Sequence, residues 1–276
     1  MGEKRIAYRV EDGEDREEIH CTTYQMRNPF RQMADGLISE LDVHCYAQHE
    51  HAAKLLPSDG WCLDLCCGRG LMIPFLRYHA KSVGGYVGVD IHPKNAKWKD
   101  GADPRDERRQ KDDWGFPREF IAGDIGNPDL ADLLMVDHQP FDLIIFTSSI
   151  EHMQPEAQQQ ALKTCGALLA KDAKLYLSCP VMAPGKSGWD CRYKAHVYEP
   201  CRAELEKWLA AADLVISDTR GLVTACAEFR AELSGLRLQY AEALYRNLPR
   251  AFALPAIAAI FPECATEMAF ICEGAT

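Results

Sequence analysis

The stretch Leu63-Asp64-Leu65-Cys66-Cys67-Gly68-Arg69-Gly70 decides the reading of this 276-residue chain. An apolar run, Trp61–Leu65, ends in a glycine-bearing turn and passes directly into residues with helical spacing from Leu71. Glycine lets the backbone approach a ligand closely, and the unpaired N–H groups of a helix start attract an anionic group. Twenty positions beyond Gly70, Asp90 closes the next apolar run, Tyr86-Val87-Gly88-Val89, where a carboxylate can accept both hydroxyls of a ribose. A dinucleotide site uses the same two elements. The Gly-x-Gly-x-x-Gly spacing fails, however, because Ile73 stands where close helix–strand packing needs Gly or Ala, which argues against NAD or FAD.

Working outward, Phe120–Ala122, Phe141–Phe146, Leu175–Cys179 and Leu214–Ser217 read as further strands, with Ala203–Ala212 a helix before the last of these. Runs apolar on both sides, joined by connections long enough to cross over, predict a parallel sheet with helices on both faces. Glu267–Cys272 supplies a seventh strand after a mostly helical stretch. In front of the sheet, residues 29–56 show helical spacing and end at Pro57-Ser58-Asp59-Gly60. The expected organisation is an acidic flexible arm over 1–20, then one domain over 21–276. Its core spans about 57–221 and 264–276, with insertions at about 93–118 and 222–263.

Composition narrows the function. With 41 acidic and 31 basic side chains the net charge is −10, which repels phosphate backbones and disfavours nucleic acid as a partner. The basic residues within 94–118 leave an RNA or nucleotide acceptor open as an alternative. Twelve cysteines without a Cys-x-x-Cys pair, and no secretory leader, predict reduced thiols in a cytoplasmic protein. The most apolar stretch, Ala251–Phe261, is too short for a membrane span and contains Pro255.

These motifs resemble the class I S-adenosylmethionine-dependent methyltransferases, whose first motif is approximately Leu-Asp-x-Gly-Cys-Gly-x-Gly. The resemblance covers roughly residues 60–220. It continues through Asp90, through Ala122-Gly123-Asp124-Ile125, and through Phe141–Phe146 followed by Thr147-Ser148-Ser149-Ile150-Glu151-His152. It implies a Rossmann-like, doubly wound seven-stranded sheet, mostly parallel with an antiparallel last strand, carrying N-terminal helices and a helical insertion before that strand. It implies S-adenosylmethionine as cofactor and S-adenosylhomocysteine as product. Asp64, Cys66, Gly68 and Gly70 would line the methionine portion, Asp90 with Ile91 the ribose end, Asp124 and Ile125 the adenine, and Phe146 and Thr147 the sulfonium. Cys66 departs from the family, which usually has Gly there.

An activated methyl group needs alignment with its acceptor more than it needs chemistry. A base matters only for a hydroxyl or protonated amine, and His152, after the fourth strand, and His196, in Ala195-His196-Val197-Tyr198, are the candidates. Tyr198 is a candidate substrate contact. His44, Cys45, His49 and His51 lack a second pair to complete a metal site, and Thr-Ser-Ser at the fourth strand lacks a magnesium-binding carboxylate, so metal-independent transfer is expected. The leading expectation is methyl transfer to a small molecule, with a homodimer possible in principle. A non-catalytic cofactor-binding or scaffold protein is the alternative of another class.

Overall fold

The computed structural model describes residues 40–68, 70–91, 115–183 and 185–275. The acidic arm at 1–20, the beginning of the N-terminal helical run and most of the 93–118 insertion lie outside the described residues. Seven strands form one sheet: β1 (Gly60–Leu65), β2 (Val83–Asp90), β3 (Arg118–Ala122), β4 (Phe141–Thr147), β5 (Leu169–Pro180), β6 (Leu214–Thr224) and β7 (Ala265–Gly274). Their spatial order is β3-β2-β1-β4-β5-β7-β6. β1 through β5 pair in parallel, and β7 runs antiparallel to both its neighbours, β5 and β6. The expected Rossmann-like architecture, including the antiparallel last strand, is the one observed.

Around the sheet lie α1 (Glu40–Ala53), α2 (Met72–His79), α3 (Leu130–Asp137), α4 (Pro155–Leu168) and α5 (Arg202–Ala210). Three further helices, α6 (Cys226–Glu232), α7 (Gly235–Asn247) and α8 (Arg250–Ile260), separate β6 from β7. That helical insertion was expected from 222, but Leu222–Thr224 belong to β6, which stays paired with β7 as far as Thr224.

Side chains alternate across a strand, so each strand serves two cores. On one face Leu63, Leu65, Val87, Ile144, Phe146, Leu175 and Leu177 pack against Leu134 of α3, Leu162 and Cys165 of α4 and Leu205 and Leu209 of α5. On the other, Cys62, Tyr86, Leu143, Ile145, Tyr176, Ala269 and Ile271 pack against Ala52 and Ala53 of α1 and Met72, Phe75 and Leu76 of α2. A third cluster, Phe229, Leu233, Ala241, Leu254, Ile257 and Phe261, gives the inserted helices a core of their own, joined to the sheet through Val223. The same alternation puts Asp64, Asp90, Thr147, Ser178 and Glu267 on the α1–α2 face, at or near the end of the sheet where the parallel strands finish. In open α/β sheets that end is where ligands bind.

Candidate active site

The turn after β1 is held by backbone geometry. Cys66, Gly68 and Gly70 all have positive φ, at 58°, 53° and 73°. A side chain on Gly70 would come within 2.9 Å of the Phe120 ring, so that position needs glycine for space as well as conformation. Cys66 occupies the same left-handed region without glycine's freedom, a conformation that costs an L-residue roughly 1–2 kcal/mol. A glycine would adopt this conformation at no such cost, and this chain carries the strain. Ser148, just past β4, is a second non-glycine residue with positive φ, at 45°. Strained backbone of this kind concentrates at functional sites.

Between these two strand ends opens a cleft of about 740 Å³, a volume that includes open solvent. Its floor is Asp64, Cys66, Cys67 and Gly68, one wall is Thr147, Ser148 and Ser149, and its roof is Cys45, Tyr46, Gln48 and His49 of α1. Phe75 of α2 supports the roof, stacking on His49 at 5.3 Å and meeting Tyr46 edge-on at 5.2 Å.

Asp64 is 5% exposed and accepts a hydrogen bond from the Tyr86 hydroxyl at 2.8 Å. Burial pushes its pKa up to about 7, with the hydrogen bond from Tyr86 working the other way and the charge of Asp90 adding to the rise. A cation entering the cleft would restore its ionised form. Asp90 accepts the Gly68 N–H at 2.9 Å, which ties the end of β2 to the turn.

The other predicted residues are distributed less simply. Thr147 lines the cleft, whereas Phe146, one position earlier, faces the opposite core and is fully buried. The sequence placed both at the sulfonium, but strand alternation admits only one of the two side chains. Ile125 likewise lies in that far core, and Asp124 is exposed with its carboxylate accepting the Gly126 N–H at 2.9 Å. Ile91 stands 66% exposed at the end of β2. Tyr198 is not among the residues that line the cleft; its ring sits between Trp189 and Trp208 and its hydroxyl donates to Glu204 at 2.7 Å.

At the other end of the cleft lies a buried polar network that the sequence did not reveal. His44 and Gln48 are 3% and 1% exposed, a polar stripe on the inward face of α1. His44 Nε2 pairs with Glu267 of β7 at 3.2 Å. Ser148 donates to Glu267 at 2.9 Å, Ser178 donates to Gln48 at 2.8 Å, and Gln48 reaches Ser148 at 3.5 Å. Burial disfavours both charges, yet Glu267 raises His44 well above the usual histidine range and His44 with Ser148 holds Glu267 below the usual carboxylate range. The signal for this network was the i, i+4 spacing of His44 and Gln48 continued by the fully buried Ala52. His49 contacts the Cys45 carbonyl and His51 meets the Tyr176 ring edge-on, so the α1 histidines act as packing and pairing groups.

A family model described as a methyltransferase domain matches residues 39–218. This chain belongs to the class I S-adenosylmethionine-dependent methyltransferases. No curated protein sequence matches it. Among solved structures the methyltransferase is similar in fold to the [4+2]-cyclase SpnF, with a TM-score of 0.55 and 15% identity over 84% of this chain and 82% of that one. It is also similar to the Haloferax volcanii complex of the Trm112 methyltransferase activator with a methyltransferase, at 0.53 and 13%, covering 90% and 95%. The cyclopropane synthase MmaA2 from Mycobacterium tuberculosis scores 0.51 at 14% identity, covering 83% and 84%. S-adenosylmethionine is the cofactor of the methyltransferase, and the cleft fits it: a buried carboxylate at the floor suits an ammonium, and the glycine turn leaves room beside it. Among the described residues no helix is long and apolar enough to cross a membrane.

Proposed function

We propose that this methyltransferase transfers a methyl group to a small-molecule acceptor that enters beneath α1 and meets the cofactor between Thr147–Ser149 and the turn after β1. The supporting observation is the roofed cleft itself. A cleft closed above by Cys45, Tyr46 and His49 suits a ligand that can be enclosed, and the chain's net charge of −10 disfavours a polyanion.

When bound, S-adenosylmethionine supplies a methyl group already activated on a sulfonium. Asp64 would hold the ammonium of its methionine portion, Cys66, Gly68 and Gly70 would cradle that portion, and Asp90, beside Ile91, would hold the ribose. Thr147 would stand beside the sulfonium, with Asp124 at the adenine end; Phe146 and Ile125 would support these positions from the core behind. His44, paired with Glu267, stays protonated near neutrality and so would orient an acceptor by charge and not take its proton. His152 and His196 are the groups this reading places toward the acceptor's nucleophilic atom.

Alignment of the two reactants under the α1 roof accounts for most of the rate, since exclusion of water and a fixed approach can supply on the order of 7 kcal/mol. The test is calorimetric titration of S-adenosylmethionine and S-adenosylhomocysteine into the full chain and into Asp90→Ala, followed by an acceptor screen that reads S-adenosylhomocysteine release. Micromolar binding lost in the variant, with turnover on a small acceptor, supports the reading. Binding without turnover on any small acceptor, while RNA is methylated, replaces the acceptor class. The cyclase among the fold neighbours is the reason turnover must be measured as well as binding.

A further inference from the structure

The sequence offered no carboxylate at Thr147-Ser148-Ser149, but two residues later the chain folds one into place. Glu151 sits in a 3-10 turn, Ile150–His152, immediately after the cleft wall, and is 2% exposed. Its Oε2 is buried and has no hydrogen-bond partner, an expensive condition for a carboxyl oxygen. Two imidazoles lie close to its carboxyl group. The ligand atoms of Glu151, His152 and His196 all lie within 4.8 Å of one another, and the two rings meet edge to face at 5.0 Å.

Each ring is also fixed from behind. His196 Nδ1 donates to the fully buried Glu199 at 2.8 Å, and the same Glu199 oxygen accepts the Arg192 N–H at 2.9 Å, while His152 Nδ1 donates to the Ala195 carbonyl at 3.0 Å. With Nδ1 protonated, the neutral ring carries its lone pair on Nε2. One imidazole backed by a carboxylate and another backed by a backbone carbonyl is the outer-shell arrangement that orients metal-ligating histidines. The loop bearing His196 is itself pinned to this turn, since the N–H groups of Val197 and Tyr198 both donate to the Glu151 carbonyl, at 2.7 and 3.2 Å.

We propose that Glu151, His152 and His196 form a binding site for a divalent transition-metal ion of the zinc or iron class, three protein ligands that leave the remaining positions to solvent or substrate. Two imidazoles with one carboxylate is the ligand set of such ions and not of magnesium or calcium, which take oxygen. From a separation of 4.8 Å, closing the three ligand atoms onto bonds of about 2.0–2.2 Å needs roughly 0.6–0.8 Å of inward movement from each. The ion would give Glu151 Oε2 the partner it lacks. The site stands on its own geometry and does not depend on which acceptor is methylated; it departs from the expectation of metal-independent transfer.

The test uses the full chain, free of any affinity tag and stripped with a chelator, titrated with Co2+ and followed by visible absorption and calorimetry. The expected result is one Co2+ per chain with d–d absorption and no thiolate charge-transfer band, displaced by Zn2+ and unaffected by excess Mg2+. His152→Ala and His196→Ala should each weaken binding more than roughly a hundredfold, and Glu199→Gln by roughly 10–100-fold through loss of the outer-shell acceptor. His152 is exposed, so its variant keeps the question decidable even where Glu151→Gln fails to fold. Absence of micromolar binding, a thiolate band, or affinity unchanged in folded His152→Ala and His196→Ala would overturn the site. Because the readout is the ion itself, failure here leaves S-adenosylmethionine binding and acceptor turnover to be judged separately.

Discussion

The two ends of the cleft are built by different means. At the turn after β1 the defining features belong to the backbone: three positive φ values within five residues, a carboxylate at a strand end, and Asp90 hydrogen-bonded to Gly68. At the other end the features belong to side chains brought from opposite parts of the chain, His44 and Gln48 from α1, Ser148 from the turn after β4, Ser178 from β5 and Glu267 from β7. A site made of backbone tolerates trimming of its side chains but not a change of conformation. A site made of paired side chains fails when one partner is removed.

The largest effect should come from splitting the pair at the acceptor end. Glu267→Ala leaves His44 buried without its counter-charge, and removal of one partner from such a pair costs about 3–5 kcal/mol. His44 can escape part of this cost by losing its proton, so the loss in denaturation free energy should be larger at pH 6 than at pH 8. A cost below about 1 kcal/mol at both pH values would mean that the pair does not form and that this end resembles the turn.

Asp64 gives the turn its own pH signature. The folded state favours its neutral form up to about pH 7, whereas the unfolded chain releases this proton near pH 4. The free protein should therefore lose stability as pH rises from about 4 to 7, by a few kcal/mol from this group, and level off above that. Asp64→Asn should flatten the profile in urea titrations across that range, and an unchanged slope would show that Asp64 is ionised in the fold. At saturating S-adenosylmethionine the wild-type slope should shrink, because an ammonium beside Asp64 favours the carboxylate.

Asp90→Ala removes the acceptor for the Gly68 N–H and the proposed ribose partner, and should weaken cofactor binding by about 1.5–3 kcal/mol, roughly 10–100-fold in Kd. Calorimetry with S-adenosylhomocysteine reads this directly, with unchanged affinity contradicting the placement of the ribose. The smallest effect should be a gain. Cys66→Gly relieves a left-handed residue and should stabilise the protein by about 0.5–1 kcal/mol, set against the added freedom of the unfolded chain. A loss on the same scale in thermal denaturation would show that the thiol's packing outweighs the strain.

The contrast between the two ends also explains what could be read from the residues alone. The seven strands and the turn from Asp64 to Gly70 were legible because each is a local pattern, a short apolar run or a glycine spacing. Phe146 and Thr147 were not separable by such a pattern until the sheet gave each a face. His44 with Glu267, and Glu151 with His196, are invisible as pairs because 222 and 44 positions separate the partners and neither partner is unusual by itself. Cys66 was visible as a departure, and its meaning came only with its φ.

The position of β7 carries a last consequence, for synthesis. β6 borders only β7 in the sheet, yet residues 225–264 leave the ribosome between them. Through that interval β5 presents an open edge, the kind of surface that recruits foreign strands. The strand that closes this edge also delivers Glu267 to His44, so one late event both seals the molecule against aggregation and completes its polar end. A nascent chain that stalls before that event keeps the β5 edge unpaired and lacks the partner of His44.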